Sequence, residues 1–317
     1  MPKTRLFYAT DIHGSERCFT KFINAGPFYK ADVLIIGGDI TGKYFIPLVE
    51  QPDGTFTTTF LGKEYKLRPG KELEELEQRI RSVGYYAYRT NPAEVEELRT
   101  SAAKSDKIFE MLITESLRRL LAYAEQKLKG TKIKCFVSPG NDDSFFVDKV
   151  LAESSTVICP EGKVIEIDSS HEMASTGYTN MTPWKCPRDV SEEELMKRIE
   201  DMTSTLKNPS RSIFNFHCPP YGSTIDDAPQ FDEDMKPKLS ATGPLMAPAG
   251  SKSVRVAIEK YQPLLGLHGH IHESKGYFTI GRTICVNPGS EYTEGVLRGF
   301  LAELAEDKVK DFLFVSA

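Results

Sequence analysis

Five short apolar runs in this sequence each lead into residues able to bind a metal ion. Leu6 to Thr10 delivers Asp11-Ile12-His13, and Val33-Leu34-Ile35-Ile36 ends in Gly37-Gly38-Asp39. Lys132 to Val137 leads to Gly140-Asn141-Asp142-Asp143. Ser212 to Phe216 ends in His217, and Leu264 to Leu267 ends in His268-Gly269-His270-Ile271-His272. An unbroken apolar run such as 33–36 is expected of a strand buried on both faces. The chain therefore reads as α/β, a class in which sites converge at strand ends.

The other constraints are exclusions. A chain of 317 residues suffices for one large domain, or a domain with an inserted lobe. A net charge of -5 gives no basic footprint for nucleic acid. Met1-Pro2-Lys3-Thr4-Arg5 leads straight into the first strand with no signal peptide, and no apolar run approaches the roughly 20 residues of a membrane span. Six scattered cysteines without a C-x-x-C pair read as reduced thiols of a cytoplasmic protein, mostly in the core. Of these, Cys218 beside His217 is the one expected near the chemistry.

Between Asp39 and Asn141 the pattern is longer than one connection needs. Tyr44 to Glu50 and Thr55 to Leu61 flank the hairpin turn Asp53-Gly54. Lys71 to Val83 is amphipathic. Asn91-Pro92-Ala93-Glu94 has an N-cap, a proline at the first helical position and a glutamate behind it, and predicts one long helix to about Lys129. Residues 1–317 thus read as a single domain, with 43–90 an inserted hairpin plus helix that caps the site, elaborates an edge or contacts a second subunit. Further helices are expected over Ser15 to Asn24 and Ser191 to Lys207. Pro219 to Gly250 reads as a long functional loop, and Leu297 to Val315 as a final hairpin.

Taken singly, the ligand blocks are weak. Asp-x-His and Gly-Gly-Asp occur in many proteins, whereas Gly-His-x-His sets two imidazoles where they can address adjacent ions. All five in one chain, mixing carboxylate, imidazole and one amide, suit a pair of first-row transition ions better than calcium or magnesium. Manganese is the expected metal, with iron, zinc or nickel as alternatives.

From Asp11 to Ser290, apart from the insertion, the sequence resembles a calcineurin-like metallophosphoesterase. Gly266 to Glu273 and Val286-Asn287-Pro288-Gly289-Ser290 are most similar to the small bacterial and archaeal phosphodiesterase branch. The resemblance implies a four-layer αββα sandwich of two mixed sheets flanked by helices. It implies that Asp11, His13, Asp39 and His272 hold one metal, and Asp39, Asn141, His217 and His270 the other, with Asp39 bridging. Two ions roughly 3.5–4 Å apart can polarise a phosphate oxygen and acidify a bridging water, whose hydroxide attacks phosphorus. The implied partner is a small phosphate ester.

One position departs from the family pattern. Where the family has a histidine after the asparagine, thought to serve the leaving group, this chain has Asp142, followed by Asp143. Asn141, Asp142 and Asp143 are the candidate catalytic block. Asp142 can be a general acid only if its pKa rises well above about 3.9, and nearby cations would lower it. An ionised carboxylate beside the ligands is the preferred reading. It would repel a dianionic monoester more than a monoanionic diester, so a phosphodiesterase is expected, with a phosphomonoesterase or a non-catalytic binding module as alternatives. His268 reads as structural, His171 as a surface residue and Glu273 as exposed. Asn180 in Gly177-Tyr178-Thr179-Asn180 resembles a family loop near the site. Trp184 and Tyr221 read as loop packing, with stacking on a base or aryl group the alternative.

Overall fold

The computed structural model describes residues 3–232, 234–241 and 243–317. Met1 and Pro2 of the N-terminal reading, and Glu233 and Thr242 of the long-loop reading, lie outside them.

Two six-stranded sheets form the centre. In the first, Thr4–Ala9 pairs in parallel with Val33–Ile36, and that strand with Lys134–Val137. Arg298–Ala305 runs antiparallel on the other side of Thr4–Ala9, followed by Lys308–Ser316. In the second, Glu172–Thr176, Ile213–Phe216, Leu265–Leu267 and Thr283–Asn287 are parallel, with antiparallel strands Lys163–Glu166 and Gly276–Ile280 at the edges.

The alternation of side chains along each strand sorts the layers. Leu6, Tyr8, Val33 and Ile35 pack with Met173, Ile213, Leu265 and Val286 between the sheets. Phe7, Ala9, Leu34 and Ile36 face the other way, against Phe19 and Phe22 of helix Glu16–Tyr29 and Leu117 and Leu120 of helix Ala102–Leu128. On the far side, Phe214 and Phe216 pack with Leu195 and Ile199 of helix Glu192–Thr203 and Val254 and Ile258 of helix Lys252–Tyr261. Helix, sheet, sheet, helix is the αββα order expected. Each such fully buried side chain contributes roughly 1.5–3 kcal/mol.

Several boundaries differ from expectation. The first helix runs five residues further, to Tyr29, because Pro27 sits in its last turn and Lys30 closes it in the left-handed region. The long helix is two, Pro92–Thr100 and Ala102–Leu128. Ser101 is extended between them and its hydroxyl accepts from Lys104 N, so it caps the second helix; such a cap stabilises by about 1 kcal/mol. Pro219 to Gly250 is not bare loop. Asp227–Pro229 pairs with Met246–Pro248, and Leu239–Ser240 with Gly243–Pro244.

The segment 43–90 is more than a hairpin and a helix. It forms a four-stranded sheet, in spatial order Lys63–Leu67, Phe56–Phe60, Phe45–Glu50, Tyr86–Thr90, covered by helix Lys71–Ser82. Leu48, Phe56, Phe60, Leu73, Leu76 and Ile80 make its own small core. The aromatics Phe56 and Phe60 therefore cover the lobe's interior and not the mouth of the site. Among the described residues, no helix is long and apolar enough to cross a membrane.

Candidate metal centre

The parallel strands of both sheets end at one place. Asp11 lies two residues past Ala9, Asp39 three past Ile36 and Asn141 four past Val137. His217 directly follows Phe216, and His270 is three past Leu267. Asp11, His13, Asp39, Asn141 and His217 are buried, and His270 and His272 half-buried.

The backbone is bent to achieve this convergence. Asp11, His13, Asp39 and His270 all have positive φ, from 39° to 67°, a region that few residues other than glycine occupy. Such strain persists only where the surroundings over-determine it. Here, Asp11 N donates to Gly38 O and His13 N to Asp39 O, which locks the two ligand loops together. Glycine is required where the loops touch. A Cβ on Gly38 would lie 2.2 Å from His217 Nδ1, and one on Gly140 2.1 Å from Asp39 Oδ1.

Asp11, His13 and His272 bring ligand atoms together, as do Asp11, Asp39 and His217, and His13, Asp39 and Asp142. The first group lies within the set implied for one metal. The second brings Asp11 to His217, across the two implied sets. His13 Nε2 and His272 Nε2 are 3.1 Å apart, close enough to share one proton or one ion. His270 Nδ1 is 2.9 Å from Asn141 Oδ1.

His217 is the most telling. Its Nδ1 must donate to Gly37 O, 3.0 Å away, so in the neutral ring Nε2 carries a lone pair. That buried Nε2 has no hydrogen-bond partner and faces Asp39 Oδ1 at 3.4 Å and Asp11 Oδ1 at 3.8 Å. A lone pair opposed to two carboxylates calls for a cation between them. Burial works against charge on His217, yet Asp39 and Asp11 push its pKa up to about 10. Burial likewise raises Asp39, to about 6, and lowers His270, to about 4. Two carboxylates and several imidazoles gathered in so little buried space form a donor set that fits positive ions.

No family model matches the chain. It is similar to an uncharacterised protein of Methanocaldococcus jannaschii, MJ1162, at 33% identity over 153 residues, or 47% of this chain and 61% of that relative. The chain thus spans less than two thirds of that relative's length. Among solved structures, TT1561 of Thermus thermophilus superposes with a TM-score of 0.55 at 13% identity, over 98% of this chain and 99% of that one. Another crystal structure does so with 0.57 at 18% identity and the same coverage. The E. coli phosphoesterase YfcE aligns over 98% of both chains, with a TM-score of 0.32 at 12% identity. The αββα layers, with a cluster of donors at the strand ends between the sheets, decide the fold. It is the four-layer αββα fold that the resemblance to calcineurin-like metallophosphoesterases implies.

Several features at the rim of this candidate site are not visible in the sequence. Asp142 is ion-paired with Lys43, the first residue of the lobe, and accepts from the Cys186 thiol. Burial would raise the Asp142 pKa, but the Lys43 ammonium holds it at about 2. Cys186 is therefore the cysteine beside the candidate chemistry, whereas Cys218, expected there, is buried in the core under the second sheet. Asp143 is fully buried and spends its oxygens on Ile40 N, Thr41 N, the Thr41 hydroxyl and Gly140 N. It clamps the two ligand loops, and none of these contacts reaches the ligand cluster. Asp189 accepts from Asn141 Nδ2 at 3.0 Å and so turns the amide oxygen toward His270. The buried Arg188 braces the same loop through Asp143 O and Asp148.

His171, expected at the surface, is 3% exposed. Nδ1 meets Asp168 at 2.8 Å and Nε2 donates to Ala305 O, so it ties the second sheet to the final hairpin. His268 points away from the cluster, as expected, and donates to Phe216 O and Cys218 O on either side of His217. Glu273 is exposed. Asn180 bonds to Ala249 O and accepts from Cys218 Sγ. Asn287 Nδ2 donates to Ile271 O at 2.8 Å, which explains how the 286–290 stretch holds the His270 loop.

Proposed function

We propose that this protein is a dinuclear-metal phosphodiesterase. The observation that carries the reading is His217 Nε2, buried, without a hydrogen-bond partner and aimed at Asp39 and Asp11. Asp11, His13, Asp39 and His272 would hold one ion, and Asp39, Asn141, His217 and His270 the other. Bound there, divalent ions would polarise a phosphate oxygen and make a water acidic enough to attack phosphorus at neutral pH. The nitrogen-rich set supports manganese, iron, zinc or nickel over calcium or magnesium.

The charge of the rim supports a diester. Apart from imidazoles, Lys43 is the one basic side chain among the described residues lining the adjoining cleft, and Asp142 already neutralises it. No spare cation is left for the second charge of a monoester dianion. Asp142 itself repels less than a free carboxylate would, because it is paired. The pair sets an ammonium beside Asp39, where the family pattern has a histidine. Lys43 would meet the single charge of a diester as one half of this ion pair, held in place by Asp142, which the Cys186 thiol also contacts.

Metal analysis and rates on matched aryl mono- and diesters test the reading. The wild type is expected to hold two ions per chain and to favour the diester. Asp39→Asn is expected to lose at least one ion and more than about a hundredfold in rate, beyond the 10–100-fold typical of residues behind the ligands. Full occupancy and rate in that variant would sink the assignment.

A further inference from the structure

A cleft of about 620 Å³ opens beside the candidate metal centre, within the size range of small-molecule sites. Asp39, Asn141, His270 and His272 line one part of it. Met181, Trp184 and Phe231 line another, with Tyr44 from the lobe and Phe109 and Ile113 from the long helix. Trp184 is 60% exposed, Met181 53% and Tyr44 64%. Exposed apolar residues are ordinary singly. Grouped in one concavity beside a polar cluster, they mark a surface that a ligand covers.

Trp184 is also held. The Phe231 ring meets the indole nearly perpendicularly, with centroids 5.6 Å apart. Three polar side chains of the cleft are already committed. Thr182 donates to Asp189, Asn180 to Ala249 O and Thr41 to Asp143. The wall therefore offers ring surface, a thioether and hydrocarbon, with few free hydrogen-bonding groups to read a ligand's edge.

We propose that Trp184, with Met181 and Phe231, forms a subsite for a planar aromatic substituent of the phosphodiester, an aryl group or a nucleobase taken by its face. The proposal rests on the phosphodiesterase reading above. Stacking on an indole is tolerant of ring identity, because every base or aryl group has a π-face. The subsite selects for an aromatic substituent without selecting among bases.

Trp184 is the chain's sole tryptophan, so its emission reports on the cleft directly, without turnover. The test uses zinc-loaded protein and four monoanionic ligands with a poor leaving group. These are methyl methylphosphonate, methyl hexylphosphonate, methyl phenylphosphonate and adenosine 5′-methyl phosphate. Saturable change of the indole emission is expected with the last two. Calorimetry should show these two binding roughly ten- to a hundredfold more tightly than methyl methylphosphonate. Trp184→Ala should erase that advantage and Trp184→Phe retain most of it. A preference for the phenyl over the adenosine ligand, or the reverse, separates the two aromatic sources. Equal binding of the hexyl and phenyl compounds would overturn the proposal, as would an unchanged aryl advantage in Trp184→Ala. If all four bind alike, the subsite alone fails. If none binds the metal-loaded protein, the phosphodiesterase reading fails and takes the subsite with it.

Discussion

In the loops that carry the seven candidate ligands, four of those residues hold left-handed backbone, and the side chains are buried or half-buried. In the lobe of residues 43–90, the left-handed positions fall at turns, at Gly54, Leu61, Gly62, Gly70 and Gly84. The first region is strained and depends on everything around it. The second satisfies its own chain with a sheet, a helix and a core of six buried apolar side chains. The two meet along a packed seam, where Phe45, Tyr86 and Tyr88 lie against the main core, Ser15 Oγ donates to Ser82 O and Arg81 pairs with Glu16. Gly42 N donates to the Tyr86 hydroxyl at 2.7 Å, and the next residue is Lys43. The lobe therefore has a core of its own, rests on the main core through a few residues and delivers one charged group to the rim.

Four substitutions would break or sharpen that contrast. Phe60→Ala, in the lobe core, is expected to cost roughly 3–5 kcal/mol of local stability. Amide exchange over 45–90 should accelerate while metal content and the exchange of 33–36 stay unchanged; loss of metal would show that the lobe is not independent. On the other side of the seam, Asp189→Ala frees the Asn141 amide. Metal affinity should fall about 10–100-fold, and an unchanged titration would mean that Asp189 does not orient the ligand.

Lys43→Met tests the seam itself. The diesterase rate should drop about tenfold, modestly because Lys43 is part-exposed. Both ions should remain bound, and Lys43→Arg should recover part of the rate. An equal loss in Lys43→Arg and Lys43→Met would argue against a charge role.

The smallest effect is expected at His171, remote from both regions. Burial alone would lower its pKa, but the Asp168 carboxylate raises it above the usual value. A raised folded pKa stabilises fully below the unfolded value of about 6.5 and is lost as pH rises through the folded one. Asp168 is itself lowered, against its burial, by His171 and the Thr4 hydroxyl. Its contribution is present above about 3.9 and is lost as pH falls. His171→Gln should therefore cost about 1 kcal/mol near pH 5.5, and the deficit should shrink toward pH 9. A deficit independent of pH would mean that His171 acts by packing alone.

The strand Val33–Ile36 matches its apolar run residue for residue, because a strand buried on both faces leaves a continuous signal. The strands before Asp11, Asn141, His217 and His270 are legible for the same reason. Lys63–Leu67 was not, since an edge strand carrying Lys63, Glu64 and Lys66 has too little apolar surface to betray a pattern. Nor was Tyr86–Thr90, whose parallel partner lies about forty residues earlier. The break at Ser101 was not legible, since Pro92–Thr100 buries no residue and so carries no apolar period of its own. Cys186 and Asp189 sit in a loop without periodicity, and their roles exist only through contact with Asp142 and Asn141.

The sequence by itself determined the donor set and its order, because hydrophobic runs and the residues that end them are local properties of the chain. The layered fold followed from resemblance and from runs that must be covered on both faces. Only the tertiary structure decided that Lys43 neutralises Asp142, that Asp143 serves the loops and not the cluster, and that Trp184 stands open beside the ligands. Those outcomes join side chains up to about a hundred residues apart. They depend on how distant segments close on one another, and no local period in the sequence encodes that closure.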